Sequence, residues 1–374
     1  MLIDNPFKFG DPVEGEYYLP RPELARTVGQ FLDNRIHVIL IGPRRFGKTS
    51  FILNLLKEKT QSSLFIDVFN ITSHRDFLQQ VLRAIRGKKP WSAHLKEWLS
   101  TIPRLRPRFE MQPDPVSGTP TLSLSAEVSS DKDVKETIQD VLAALEHLGK
   151  QVIVTIDEFQ KIAEIEDKGW LEATLRTQMQ QLKNVAFLYT GSRKGIIYDM
   201  INNSNRPFYR SCQPIEFPAF GTEFTDWIIQ RFSIVNITCE RAAVDHLRRI
   251  LQDTPNYIQM VCFHVVAQGI QNVTQKKMDD VLNTIVRQNA YAYQTLLNSL
   301  AVGQQRALRL AANELTQIFA KDLLAKYEIK TGPALHAAIK SLKDKQILDE
   351  GTAKGKVFFD DPLFAIWLRT EFGE

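Results

Sequence analysis

His37 to Lys59, HVILIGPRRFGKTSFILNLLKEK, is the stretch on which the reading of this chain turns. Val38, Ile39, Leu40 and Ile41 make a short apolar run of the kind that forms a strand buried on both faces. Gly42-Pro43-Arg44-Arg45-Phe46-Gly47-Lys48-Thr49 follows, with Ser50 next, and matches G-x-x-x-x-G-K-[ST]. From Thr49 to Lys59 the apolar Phe51, Ile52, Leu55 and Leu56 recur at helical spacing. Strand, glycine loop and helix in that order are the context a phosphate-binding loop requires. Gly42 and Gly47 are expected to supply backbone angles that a side chain forbids. The loop then wraps its N–H groups around a polyphosphate, helped by the positive end of the following helix. Lys48 is placed to reach the β- and γ-phosphate oxygens, and the Thr49 hydroxyl to ligate Mg²⁺.

A second anchor lies about a hundred residues on. Val152-Ile153-Val154-Thr155-Ile156 is another buried-type strand, and it ends in Asp157-Glu158. Opposite a phosphate loop, Asp157 is the expected holder of the metal. Glu158 is the expected base that orients and deprotonates an attacking water. The next apolar run, Val185 to Thr190, leads into Gly191-Ser192-Arg193-Lys194. A polar or cationic residue there is positioned to sense the γ-phosphate. Arg193 is the candidate, with Ser192 or Thr190 as alternatives, against a plain solvated turn.

Between and around these anchors the pattern alternates. A lead-in over residues 1–20 carries Phe7, Phe9, Tyr17 and Tyr18, and either packs near a base or straps the core edge. A helix opens at Pro22 and runs to about Asp33. Ser63 to Phe69 reads as a strand, Ser73 to Ile85 as a helix, and Asp133 to Leu148 as a helix stopped by Gly149. Trp170 to Leu182 reads as a helix and Gln213 to Phe217 as the last strand. This alternation is that of an α/β domain with a parallel sheet. Residues 87–130 interrupt it, with a short helix at Trp91 to Ser100. A hairpin is expected from Arg106 to Met111 and Thr121 to Val128 around a turn-rich centre. It serves either as a partner-binding arm or as cover for a sheet edge. Arg210, after Phe208-Tyr209, either contacts nucleotide or a neighbouring subunit or is an ordinary surface residue.

From Gly221 the strands are expected to stop. Helices fit Thr222 to Phe232, Cys239 to Leu251, Asn256 to Gln268 and Lys276 to Leu297, a helical lid. Pro255 either starts the third of these or presses on an adenine. The last part, 299–374, shows helices at Gln304 to Ala312, Phe319 to Tyr327 and Pro333 to Lys345. A β wing follows at Ile347 to Glu350 and Lys356 to Phe359, then an apolar end segment, together a winged-helix pattern. Its third helix sets His336, Lys340 and Lys343 opposite Leu335, Ile339 and Leu342. No arginine stands there to read base edges, so a protein-interaction or autoinhibitory role is favoured over DNA. The expected division is a core over 1–220, a lid over 221–298 and a winged helix over 299–374.

At 374 residues the chain exceeds one ordinary domain. Its 44% hydrophobic and 24% charged residues are those of a soluble globular protein. A net charge of +4 neither demands nor excludes nucleic acid. Cys212, Cys239 and Cys262 are widely spaced and fit neither a disulfide framework nor a metal site, which points to a reducing, cytoplasmic compartment. The opening MLIDNPFKFG is not a signal peptide, and no apolar run of about 18 residues offers a membrane span.

Together these residues resemble the AAA+ relatives in the signal-transduction (STAND) class of P-loop ATPases. The likeness is nearest to the archaeal and bacterial ATPase family with a winged-helix tail. The carriers are Asn5-Pro6-Phe7 with Leu19-Pro20-Arg21-Pro22-Glu23, the Gly42 to Thr49 loop, and Ile156-Asp157-Glu158-Phe159-Gln160. Thr190-Gly191-Ser192-Arg193, Phe208-Tyr209-Arg210, Pro255 and Asp361-Pro362-Leu363-Phe364-Ala365-Ile366-Trp367-Leu368 add to them. The resemblance implies ATP or ADP with Mg²⁺ held between core and lid. It implies a nucleotide-dependent switch that hydrolyses ATP slowly, with a DNA-binding ATPase or a non-hydrolysing ADP-bound scaffold as alternatives. It implies an unidentified protein partner, and assembly into an oligomer is compatible with it. Arg193 resembles the arginine that reports nucleotide state. Arg21 and Pro255 resemble the family's base-side residues, although the family's Gly-Arg stands here as Pro20-Arg21 and its Gly-x-Pro as Asp253-Thr254-Pro255.

Overall fold

The computed structural model describes residues 5–59, 61–86, 111–113, 120–122, 130–148, 150–314, 318–350 and 357–373. The chain divides into two compact units. One comprises Arg21–Gly42 and Phe51–Phe217, the other Met1–Pro20, Pro43–Ser50 and Pro218–Glu374.

The first unit alternates helix and strand. In chain order come α1 (Pro22–Asp33), β1 (Val38–Ile41), α2 (Lys48–Glu58), β2 (Ser62–Asp67) and α3 (His74–Arg86). The short strands β3 (Met111–Pro113) and β4 (Pro120–Leu122) follow, then α4 (Asp131–Ala144), β5 (Val152–Asp157), α5 (Trp170–Gln181), β6 (Val185–Gly191), α6 (Lys194–Asn202) and β7 (Gln213–Glu216). Five strands make one sheet in the order β2-β5-β6-β1-β7, every neighbouring pair parallel. A parallel sheet is buried on both faces, and the fully buried runs of β1, β5 and β6 are those the apolar stretches announced.

Alternation along the strands sorts the two faces. Ile39, Ile41, Leu64, Ile66, Val154, Ile156, Phe187 and Tyr189 share one core with residues of α3, α4, α5 and α6. Val38, Leu40, Ile153 and Leu188 are equally buried and belong to the other face. Helix α1 lies against β1 and β6. Pro214 sits on the edge strand β7, where a missing N–H costs least.

Of the expected hairpin, the described part pairs antiparallel, with Met111 opposite Leu122 and Pro113 opposite Pro120. Its outer residues, the helix at Trp91 to Ser100 and Gly149 lie outside the described residues. Two elements went unforeseen. A 3-10 turn spans Phe159–Glu164, and α6 stands where a basic turn was an alternative.

The second unit is largely helical. It contains α7 (Glu223–Ile234), α8 (Arg241–Ile250), α9 (Pro255–Ala267), α10 (Gln275–Gln288) and α11 (Ala290–Asn298). It continues with α12 (Val302–Asn313), α13 (Lys321–Lys326), α14 (Gly332–Asp344) and α15 (Pro362–Phe372). One hydrophobic core runs through all of these helices. Two sequence expectations are corrected here. Strands do not stop at Gly221, because Thr238–Cys239 (β8) pairs in parallel with Asn272–Val273 (β9) and buries Val273. The long helix from Lys276 to Leu297 is two, broken at Asn289. That residue's side-chain amide donates to the Ile285 carbonyl at 2.9 Å and closes α10.

The winged-helix elements follow the expected order. Leu335, Ile339 and Leu342 of α14 are buried, and Leu348–Glu350 (β10) pairs antiparallel with Val357–Phe359 (β11). The apolar end segment is α15, with Leu363, Phe364, Trp367 and Leu368 inside. The lead-in straps this unit. Phe7 is buried 4.7 Å from the Phe232 ring, the Pro6 carbonyl accepts from Arg231 Nε at 2.9 Å, and Gly10 N donates to Asn256 Oδ1 at 2.9 Å.

Candidate nucleotide site

In the sheet-containing unit the strands deliver their C-terminal ends to one edge. Ile41 pairs with Gly191, and Asp67 with Asp157, in the last registers. Asp157 is buried, and its Oδ1 accepts from the Thr190 hydroxyl on β6 and from Glu158 N at 3.1 Å. Glu158 adopts a left-handed backbone (φ 58°, ψ 42°) as the chain leaves β5. A non-glycine residue in that region is held by its surroundings at some cost, which turns attention to function. The Glu158 carboxylate is gripped from two sides. Ser192 Oγ donates to its Oε2 at 2.8 Å, and the fully buried Gln160 amide donates to the same oxygen. Gln160 Nε2 also reaches Ser192 Oγ at 3.3 Å.

Arg193 does not join that cluster. Its guanidinium pairs with Glu164 at 2.7 Å, alongside Lys161 at 2.8 Å. Burial pushes the Glu164 carboxyl up, but hydrogen bonds from Lys161 and Arg193 outweigh it and hold the group below the usual carboxylate range. Asp67 is spent on its own turn, accepting from Phe69 N at 2.8 Å. Arg21 precedes α1, nearly buried, with its guanidinium 4.5 Å from the Phe217 ring. Gly42 has an ordinary φ, so its reason is space. A Cβ there would lie 2.7 Å from the Phe217 Cβ. Arg210 is exposed beside Tyr209.

In the helical unit the loop Pro43–Ser50 curls through two left-handed residues, Arg45 (φ 62°) and Gly47 (φ 88°). Backbone of this kind builds anion-binding concavities. Lys48 is buried, and its ammonium donates to the Pro43 carbonyl at 2.7 Å, across its own loop. Ser50 Oγ accepts from Val13 N at 3.0 Å, which ties the strap to the loop. The Arg45 guanidinium stacks 4.8 Å over the Tyr257 ring, and Asn256 N donates to the Arg45 carbonyl at 3.4 Å. Pro255 is at the first turn of α9 and buried. The donor chemistry fits a magnesium polyphosphate. An ammonium and a curled backbone suit phosphate, and each unit by itself carries a hard oxygen of the kind magnesium takes, the Thr49 hydroxyl in one and the Asp157 carboxylate in the other.

Residues 28–213 match the family model described as an ATPase domain predominantly from Archaea, and residues 291–370 match a "Probable winged helix domain". This chain carries the archaeal ATPase domain of that family, joined to a winged-helix domain. The ATPase domain so defined begins inside α1 and ends at the start of β7, and so takes in the loop, Asp157-Glu158 and Arg193. Among curated proteins none matches by sequence. Among solved structures the fold is similar to that of the Walker-type ATPase PABY2304 of Pyrococcus abyssi. The TM-score is 0.65 at 21% identity, over 95% of this chain and 97% of that one. The ORC2 protein of Aeropyrum pernix, in ADPNP–ADP complexes, gives 0.53 at 14% identity, covering 94% of each. The ORC1 protein of Aeropyrum pernix in complex with DNA gives 0.50 at 12%, over 95% and 94%. At such identities the likeness is one of fold, a P-loop parallel-sheet core together with a winged-helix domain. No described helix is long and apolar enough to cross a membrane.

Neither Gln160 nor its contact with Ser192 was assigned a role from the sequence. The signal was present in the Asp-Glu-Phe-Gln quartet. Gln160 stands two positions past Glu158, inside the 3-10 turn, which brings its amide back to that carboxylate.

Proposed function

We propose that this chain is a nucleotide-operated switch of the STAND class that binds ATP or ADP with Mg²⁺ and hydrolyses ATP slowly. The observation that carries the reading is the held carboxylate of Glu158. A half-buried glutamate fixed by Ser192 and Gln160 on a left-handed turn, one residue beyond buried Asp157, is arranged for chemistry rather than for packing. In this reading Gly42, Pro43, Arg44, Arg45, Phe46, Gly47, Lys48, Thr49 and Ser50 cradle the phosphates. Thr49 and Asp157 hold the magnesium, which supplies charge neutralisation at the phosphate oxygens. Glu158 takes the proton of the attacking water, and Ser192 and Gln160 keep its carboxylate aimed. Arg193 reports the γ-phosphate by exchanging Glu164 for it, and Arg21 and Pro255 flank the base. The core, helical lid and winged helix are the three parts whose arrangement the nucleotide biases, and it does so only by its differential affinity for their states. The partner is a protein. The exposed face of α14, with His336 and Lys340, lacks the arginine that base reading asks for.

Turnover and binding measured together test this. Glu158→Gln is expected to lower ATP hydrolysis by about 10²-fold or more while leaving ATP affinity within a few-fold. Lys48→Ala is expected to abolish binding of both nucleotides. A wild type that binds but never turns over is the ADP-bound scaffold instead, and one that binds neither nucleotide ends the reading.

A further inference from the structure

Two cations in the loop are not called for by its motif, Arg44 and Arg45. Within the helical unit both face an acidic step that precedes α15. Arg44 Nη1 lies 3.8 Å from Asp360 Oδ2, and the charge of Arg45 bears on both Asp360 and Asp361. The step is a built feature. Asp361 Oδ1 caps α15, accepting from Leu363 N at 2.9 Å, and its Oδ2 accepts from the Tyr293 hydroxyl at 3.1 Å. Asp360 N donates to the Ile347 carbonyl at 3.1 Å, which fixes the step to the base of the wing. Asp349 on β10 adds a third acid in reach of Asp360. Burial pushes both carboxyls up; at Asp360 the opposing pull comes from Arg44 and then Arg45, and at Asp361 from the Tyr293 hydroxyl and the Leu363 N–H ahead of Arg45.

A nucleotide tail brings several negative charges to the same loop. Carboxylates beside it repel that tail and draw on the same two guanidinium groups. We infer that Asp360 and Asp361 act as an internal counter-anion to the phosphate loop, so that nucleotide binding and docking of this winged-helix step on Arg44 and Arg45 oppose each other. The inference rests on the nucleotide-binding reading above. Linkage makes the opposition reciprocal: whatever factor the acids take from nucleotide affinity, nucleotide takes from their docking. Solvent screens an ion pair as exposed as Arg44 and Asp360, and that sets the scale of the opposition at about tenfold in affinity at most.

Calorimetric titration of the full chain with MgADP and MgATP tests it, comparing wild type with the Asp360→Asn, Asp361→Asn double variant. Asparagine keeps the helix cap. The double variant is expected to bind both nucleotides about tenfold more tightly, with the larger gain for ATP. Asp360→Asn alone, which leaves the cap untouched, is expected to gain in the same direction by less. In the wild type, hydrogen exchange of the first-turn amides of α15 is expected to speed up when MgATP is added. Equal or weaker affinity in both variants, or unchanged exchange, overturns the counter-anion and leaves nucleotide binding standing. A wild type that binds neither nucleotide overturns the functional reading and this inference with it.

Discussion

Gly42 and Gly47 bracket the phosphate loop for different physical reasons. Gly47 turns the chain through φ 88° with open space around it, so its value is conformational. Gly42 has no unusual angle and is packed against Phe217, so its value is the missing Cβ. Overpacking at a rigid neighbour is not relieved cheaply, because the struck atom is a Cβ and not the end of a flexible chain. Gly42→Ala is therefore expected to destabilise the fold by about 1–3 kcal/mol, read as a lower urea midpoint. A midpoint equal to wild type means that the chain after β7 yields at Phe217. Both glycines were legible in the motif, but the reason for the first was not, because Phe217 is remote in sequence. The Ser192–Glu158–Gln160 contacts were hidden in the same way. Ser192 follows β6 and Glu158 follows β5, and only the pairing of those neighbouring strands brings their ends together.

Helices α3, α4 and α5 are joined by one side chain. His74 Nδ1 lies 3.2 Å from Asp131, its Nε2 lies 2.9 Å from Asp167, and its ring meets Trp170 edge-on at 5.0 Å. Asp167 also accepts from Gly169 N and Leu171 N at the start of α5. Burial pushes the Asp167 carboxyl up, but His74 and these N–H groups hold it below the usual aspartate value. A carboxyl lowered by folding contributes stability that is full above its unfolded pKa and is lost as the pH falls through the folded one. Asp167→Asn is expected to cost about 1–3 kcal/mol at pH 7, because one partner of a hydrogen-bonded charge is removed. That deficit is expected to shrink as the pH drops below about 4. Urea unfolding of both proteins at pH 7 and pH 3 measures it, and a deficit independent of pH would show that the charge plays no part. The elements themselves were largely legible, because apolar period and caps fix them locally. The β8–β9 pair was not, since it joins segments far apart in the chain, whereas the break at Asn289 turns on a single local side-chain bond.

For the whole molecule the test is ligand linkage. A nucleotide that binds the folded chain alone stabilises it by about 2.7 kcal/mol at a hundredfold excess over Kd. MgATP is therefore expected to raise the calorimetric transition temperature by a few degrees in the wild type and not in Lys48→Ala. An equal rise in both proteins would place the ligand elsewhere.

By itself the sequence determined the parallel α/β core, the curled phosphate loop, the acidic end of β5 and the winged-helix order at the C-terminus. Each of these is written in residues that are neighbours along the chain: apolar runs, glycine spacing, and acids at a strand's end. Tertiary structure alone decided the strand order β2-β5-β6-β1-β7, the grip of Ser192 and Gln160 on Glu158, and the burial of Phe7 in the helical core. It alone set Arg44 against Asp360. The reason is chain connectivity. A side chain separated by tens or hundreds of residues from its partner leaves no periodic trace in either segment, and the two are brought together only when the sheet and the helical core close.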